Sequence, residues 1–195
     1  MSEVAEPDIV EEDLRPNLAI LLGGTAAVAL ISALSLPWPF ALASTLLGGL
    51  MIAGADVDAR MFLLPDVVTL GGAASGIAAA YALAPVDALW SAADAGMQAM
   101  ATAAIVALMR WVYERWRGCE GLGFGDVKLA AAVGAWLPLQ AISLCFALAT
   151  GAALVAVMAA RLRGQTVAAT MRLPFGAFLC PALWLIFFVT ALPGY

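Results

Sequence analysis

The stretch GLGFGDVKLAAAVGAWLP, residues 121–138, decides how this chain is threaded, because the apolar run inside it is short for the task the composition implies. Residues 127–137 make about 17 Å of helix at 1.5 Å per residue, little more than half of the roughly 30 Å of hydrocarbon in a bilayer. Pro138 ends the run at once. Counting or discounting this segment as a crossing reverses the side on which every later loop lies.

That a bilayer is the relevant solvent follows from the rest of the chain. Of its 195 residues 64% are hydrophobic and 12% charged, with a mean hydropathy of +0.98, where a soluble domain carries about 25% charged residues. Backbone groups in hydrocarbon must be satisfied within helices or a closed barrel. Long Ala/Leu/Val runs without strict alternation favour helices. The sequence therefore predicts an all-α polytopic membrane protein, with helices over about 17–35, 38–55, 67–84, 95–111, 127–137, 139–160 and 174–192.

Charge settles the count of seven. The nine basic residues, Arg15, Arg60, Arg110, Arg115, Arg117, Lys128, Arg161, Arg163 and Arg172, fall in or beside four segments: the tail, 55–66, 110–128 and 161–173. Basic residues collect on the cytoplasmic side, so these segments are expected inside and the turns near 36, 85–94 and 138 outside. Lys128 and Arg161 share a side only if an even number of crossings separates them. The short fifth helix is therefore kept, and a tilt or local thinning of the bilayer accommodates it.

Six of the 14 acids, Glu3, Glu6, Asp8, Glu11, Glu12 and Asp13, precede the first base, leaving eight against nine bases in the remainder. A secretory signal begins with the opposite charge, so residues 1–16 read as a short disordered cytoplasmic tail and 17–195 as the membrane-embedded domain. The acidic balance belongs to the tail and gives no reason to expect a basic partner for the body. Cys119, Cys145 and Cys180 stand alone, two of them inside apolar runs, and read as small buried hydrophobes rather than ligands or a disulfide.

The chain contains no histidine, which removes the Ser/His dyad, the Ser/His/Asp triad and the HExxH zinc site as routes to hydrolysis. Carboxylates remain for acid/base work. Asp87 and Asp94 read as solvated or helix-capping groups of an outer loop. Glu114 stands at helical spacing from Arg110 and Arg117 and reads as a surface pair, beside an interfacial belt of Trp111, Tyr113 and Trp116. Asp56 and Asp58 close the second span, while Asp66 and Asp126 open the third and fifth, all on the inner side. Ionisable groups at membrane depth are costly and call for a reason.

Two readings of these edge aspartates stay open. Either Asp66 and Asp126 cap helices, or two aspartates meet on one face as a hydrolytic pair. Carboxylates a few ångströms apart cannot both ionise, so such a pair holds one proton; the ionised member takes a proton from water while the other donates to the scissile carbonyl. Gly121, Gly123 and Gly125 fit the second reading, since a backbone without side-chain bulk, with positive φ if needed, lets an extended substrate approach Asp126. Neither GxGxxG nor GxxxxGK[ST] is present, which argues against a phosphate or nucleotide site.

Three stretches together, DARMFLLPD (58–66), GLGFGDVKLAAAVGAWL (121–137) and RLPFGAFL (172–179), resemble the type IV prepilin peptidase family, membrane aspartyl proteases of the GxGD type. The resemblance covers about 38–192 and implies a six-helix peptidase core preceded by one N-terminal helix. It implies Asp58 and Asp126 as the catalytic pair, with Asp56 as the rival for the first position. Gly123, Gly125, Pro65, Asp66 and Lys128 would support the site or bind substrate. Asp66 is expected to cap the third helix after Pro65. Lys128 would hold substrate or tune Asp126, unless it simply snorkels to the interface.

The resemblance further implies cleavage of prepilins or pseudopilins after a glycine at the cytoplasmic face of the bacterial inner membrane. No cofactor, metal or nucleic-acid partner is expected, and the lipid bilayer is the expected surroundings. Long members of the family carry an extra cytoplasmic domain with paired CxxC motifs; none occurs here, so a peptidase-only short form is expected, of the kind that serves tight-adherence (Flp-type) pili. Two rivals carry less weight. A magnesium-dependent membrane transferase could use Asp56, Asp58, Asp66 and Glu120, but DVDAR (56–60) lacks the DG-x2-AR spacing of the CDP-alcohol phosphotransferase signature. A transporter or assembly component with an acidic ion path would be supported by inverted repeats, and the sequence displays none.

Overall fold

The computed structural model describes residues 15–118, 123–163 and 174–193. The expectations placed on the acidic residues 3–13, Cys119, Glu120, Gly121 and Arg172 lie outside them. Among the described residues seven helices follow one another: α1 (Leu18–Ser35), α2 (Trp38–Met61), α3 (Asp66–Leu83), α4 (Ala88–Arg117), α5 (Phe124–Trp136), α6 (Leu139–Leu162) and α7 (Phe175–Thr190). Five of them, α1, α2, α3, α4 and α6, are long and apolar enough to cross a membrane. α7 is an apolar helix of 16 residues.

Local sequence sets the helix ends. Pro37, Pro65, Pro138 and Pro174 occupy the residue before α2, α3, α6 and α7, where a missing N–H and a fixed φ cost nothing. Asn17 caps α1 with its side chain, accepting the Ala19 N–H at 3.0 Å. α2 and α4 stop at left-handed residues, Phe62 (φ 55°) and Gly118 (φ 67°), whose N–H groups close the last turn onto Asp58 and Glu114. α2 thus runs on to Met61 rather than ending near 55, and α4 spans 30 residues rather than 95–111. In consequence Asp94 lies within α4, exposed, not in a loop. Asp87 takes the position before α4, with no capping bond from its side chain.

The helices alternate in direction and form a ring around α5. α2 packs on α3, α3 on α4, and α2 on α7, which in turn packs on α6. α1 lies outside the ring on α2, and α4 and α6 barely touch, so the ring is open between them. α5 sits inside, chiefly against α3 and α4. Eight of its 13 residues are buried, among them Leu129, Ala130, Val133 and Trp136, the all-round burial of a helix enclosed by protein. This resolves the short fifth helix: its flanks meet other helices rather than lipid, so it need not match the bilayer thickness.

Close approach at α5 depends on small residues. A Cβ on Gly134 would run into the backbone carbonyl of Gln98 in α4, with Thr102 Oγ1 at 2.7 Å, and one on Gly76 of α3 would lie 2.7 Å from the Ala135 Cβ. Trp136 then closes the seam to α3 with an Nε1–H bond to the Gly72 carbonyl at 2.8 Å, and its ring meets Phe187 of α7 edge-on at 5.0 Å. At the same end of the bundle Ser32 of α1 and Trp184 of α7 both donate to Ser44 Oγ of α2, at 2.8 and 3.1 Å. Large side chains such as Leu30 and Leu34 of α1 and Met100 and Leu108 of α4 point outward, as lipid contact requires. Cys145 and Cys180 are free thiols buried in the core.

Candidate active site

The opposite end of the bundle, where α2, α4 and α6 finish and α3, α5 and α7 begin, gathers Asp56, Asp58, Asp66 and Asp126. The four carboxylates have different partners, and those partners sort them.

Asp58 faces inward from the last turn of α2 and is 5% exposed. Its Oδ2 accepts the backbone N–H of Ala177 at 2.8 Å. That N–H belongs to the first turn of α7, where no carbonyl of the same helix can reach it and where Pro174 provides no capping side chain. Asp58 therefore caps α7 from another helix. Gly176 makes this possible, because a Cβ there would stand 2.9 Å from Asp58 Oδ2.

Asp126 lies in the first turn of α5 with its carboxylate folded back, Oδ2 accepting the Gly123 N–H at 3.2 Å, while its own N–H donates to the Gly123 carbonyl at 3.2 Å. Gly123 is extended (φ −67°, ψ 151°), and among the described residues positive φ occurs only at Phe62 and Gly118. Positive φ, which the sequence allowed for if needed, is therefore not used at Gly123 or Gly125. Gly125 is needed for packing: a Cβ there would meet the Leu64 Cβ at 3.1 Å. Leu64 also presses on Gly176, within 2.9 Å of where its Cβ would be. One leucine thereby spans from the residue beside Asp126 to the residue beside Asp58.

The other acids are committed elsewhere. Asp56 Oδ2 accepts from the Asn17 N–H at 2.8 Å and from Arg60 at 2.9 Å, and Arg60 also donates to the Arg15 carbonyl, so this carboxylate ties α2 to the start of α1. Asp66 does not cap α3. It is the first helical residue, after Pro65, and its carboxylate takes the Lys128 ammonium at 2.6 Å instead. Lys128 thus links α5 to α3, and with Arg110 it flanks the Phe124 ring, each cation 5.6 Å from the centroid. Glu114 pairs with Arg110 at 2.6 Å, as the spacing predicts. Among the described residues no group of three side chains is placed to hold a metal ion.

Asp126 also lies at the end of a cavity of about 670 Å³ that occupies the opening of the ring. Met97, Ile105 and Met109 of α4 and Ile142 and Phe146 of α6 form its walls, and Phe175 of α7 closes it near Asp126. Sequence reasoning missed this cavity, and it missed Gly176 and Ala177 as the cradle of Asp58. A signal for the cradle was present in residues 174–177: a proline at the helix entry leaves the first turn without a side-chain cap, and a glycine two residues later leaves room for one from outside.

The comparisons with known proteins cover the helices that carry both carboxylates. Residues 45–160 match the type IV leader peptidase family. The chain is 32% identical over 178 residues to the prepilin leader peptidase/N-methyltransferase of Aeromonas hydrophila, covering 88% of this chain and 57% of the relative. Against the protein of the same name from Burkholderia pseudomallei it is 34% identical over 173 residues, covering 84% and 51%. The chain spans about half the length of the curated relatives it matches, and no solved structure matches it significantly. With the match reaching from α2 through most of α6, the chain belongs to the type IV leader peptidase family.

Proposed function

We propose that this protein is an aspartic-type prepilin leader peptidase in which Asp58 and Asp126 share one proton. The observation that carries the reading is that one leucine, Leu64, packs both on Gly125, next to Asp126 at the start of α5, and on Gly176, against which the buried Asp58 carboxylate from the end of α2 is seated, with Asp126 lining an apolar cavity. In each, Oδ2 accepts a backbone N–H, from Gly123 for Asp126 and from Ala177 for Asp58, which fixes the orientation of the carboxylate. The ionised carboxylate takes a proton from water as its oxygen attacks the scissile carbonyl, and the protonated one donates to the carbonyl oxygen. Collapse of the resulting diol breaks the C–N bond: the carboxyl that took the proton from water gives it to the leaving nitrogen, and the carboxylate that had protonated the carbonyl oxygen recovers a proton from a diol hydroxyl. One water is consumed and the pair returns to its starting state.

Lys128 and Asp66 hold α5 to α3, and Pro65, Gly123 and Gly125 shape the backbone on which the pair stands. The substrates are prepilins or pseudopilins cut after a glycine, with tight-adherence (Flp-type) prepilins the first to test. The reaction is assigned to the cytoplasmic face of the bacterial inner membrane, supported by the bases Arg60, Arg110, Arg115, Arg117 and Lys128, which share an end of the bundle with the two aspartates. The proposal concerns the peptidase reaction alone.

Co-expression with a candidate prepilin tests it. Asp58→Asn and Asp126→Asn should each leave the precursor uncut while the protein still accumulates in the membrane, and Asp56→Asn should retain cleavage. Normal processing by either of the first two variants removes that residue from the mechanism.

A further inference from the structure

Leu64, in the connection between α2 and α3, packs on two backbones that carry no side chain. At Gly125 a Cβ would lie 3.1 Å from the Leu64 Cβ, and at Gly176 one would lie 2.9 Å from the Leu64 Cδ1. Carbon atoms in favourable contact are about 3.5–4.0 Å apart, so even an alanine at either place would have to displace the leucine. The same point beside Gly176 is 2.9 Å from Asp58 Oδ2; the leucine methyl and the carboxylate therefore border one spot. Leu64 is only partly buried against the core, so part of its surface stays open to a further contact. Its place is held from both ends. Pro65 follows it and confines its backbone to an extended conformation. Phe62, two residues before it, is left-handed (φ 55°), with its N–H closed on the Asp58 carbonyl at 2.9 Å. Phe62 and Leu63 are exposed, at 48% and 52%, and Leu64 alone of the three leans on the site as a fixed wall.

We infer that Leu64 is the residue that restricts the cut to a site after glycine, by imposing on the substrate backbone the steric rule it already imposes on Gly125 and Gly176. This role rests on the peptidase reading above. A carbonyl attacked between Asp58 and Asp126 carries its own Cα one bond from the reacting carbon, which brings that Cα up against Leu64. A Cβ on it would collide with the leucine as one at Gly125 or Gly176 would. The residue on the nitrogen side of the scissile bond has its Cα two bonds from the reacting carbon and is not bound by the same contact. Bulk alone sets the rule, since Leu64 offers no polar atom, so trimming the leucine should relax it.

Paired precursors test the role: a prepilin with its glycine at the cleavage site, and the same prepilin with that glycine changed to alanine, each cut by the full-length enzyme in detergent. The readout is the ratio of kcat/KM for the glycine precursor to that for the alanine precursor. Leu64→Ala should lower this ratio about ten-fold or more, the size of effect that one methyl group has in a fitted pocket, and should cut the alanine precursor faster than the wild type does. Leu64→Val, a milder change that keeps the site packed, should lower it about three-fold. Leu64→Met, close in volume, and Leu63→Ala, on the exposed neighbour, should leave it unchanged. A role in packing alone would slow both precursors together and keep the ratio. An unchanged ratio in both Leu64→Ala and Leu64→Val overturns the inference, as does loss of both reactions in both variants, which would make Leu64 a packing residue. If either result appears while Asp58→Asn and Asp126→Asn remain inactive, only the role of Leu64 is lost; if the aspartate variants cut, the peptidase reading itself fails.

Discussion

The two flanks of α4 are built on opposite rules. Against α5 it packs Thr102 and Val106, both buried, and accepts Gly134 so closely that no side chain fits between the backbones. Towards α6 it presents Met97, Ile105 and Met109, which face a cavity instead of a helix. Small residues bring backbones together in a membrane, where dispersion and interhelical bonds drive association; flexible and branched side chains line space that something else is to fill. The difference teaches that α5 and its aspartate are held tightly against α4 on one side, while the other side of α4 borders open space.

The strongest way to break this contrast is to add the same bulk on each side. Gly134→Leu should lower stability by about 3 kcal/mol or more, because the clash is with backbone rather than with a movable side chain. Gly151→Leu on α6, where a Cβ meets nothing within 4 Å, should change it by less than about 0.5 kcal/mol. Denaturant titration of the purified proteins in detergent would read both, and equal losses would erase the distinction between seam and opening.

A smaller effect on the fold, though a large one on activity, is expected where the closed side meets the site. Gly176→Val should push the Asp58 carboxylate from its place on α7 and cost about 100-fold in kcat/KM, the penalty of a roughly 1 Å misplacement, with accumulation in the membrane retained. Full activity in that variant would show that Asp58 does not need the α7 cradle. Least of all should follow from Lys128→Met. The Lys128–Asp66 pair is partly exposed, its side chains 30% and 63% accessible, so its loss should cost under about 1 kcal/mol and change the cleavage rate only a few-fold. Complete loss of cleavage would instead place the ammonium in direct contact with substrate.

The apolar runs made the seven helices legible in the sequence, since a bilayer leaves a spanning backbone no alternative to continuous helix. Their ends were less so. Asp94, Gln98 and the charged residues 110–117 break the apolar pattern of α4 without breaking the helix, because a helix that leaves the hydrocarbon can continue in water. Four aspartates stood out because ionisable groups at a membrane edge are few, and the resemblance singled out Asp58 and Asp126 among them. What each of them touches was not, since Asp58 meets Ala177 across 119 positions and Asp66 meets Lys128 across 62; long-range partners leave no periodic trace. The packing role of Gly125 was likewise not legible, since the side chain it makes room for, Leu64, belongs to another segment.

The cap that Asp58 provides for α7 also has a consequence for biosynthesis. Helices enter the membrane in chain order, and the carboxylate of α2 waits for its N–H donor until the seventh helix arrives. A half-made chain thus carries both aspartates but not the bond that holds one of them, so the arrangement of Asp58 against α7 is completed only when the bundle is finished.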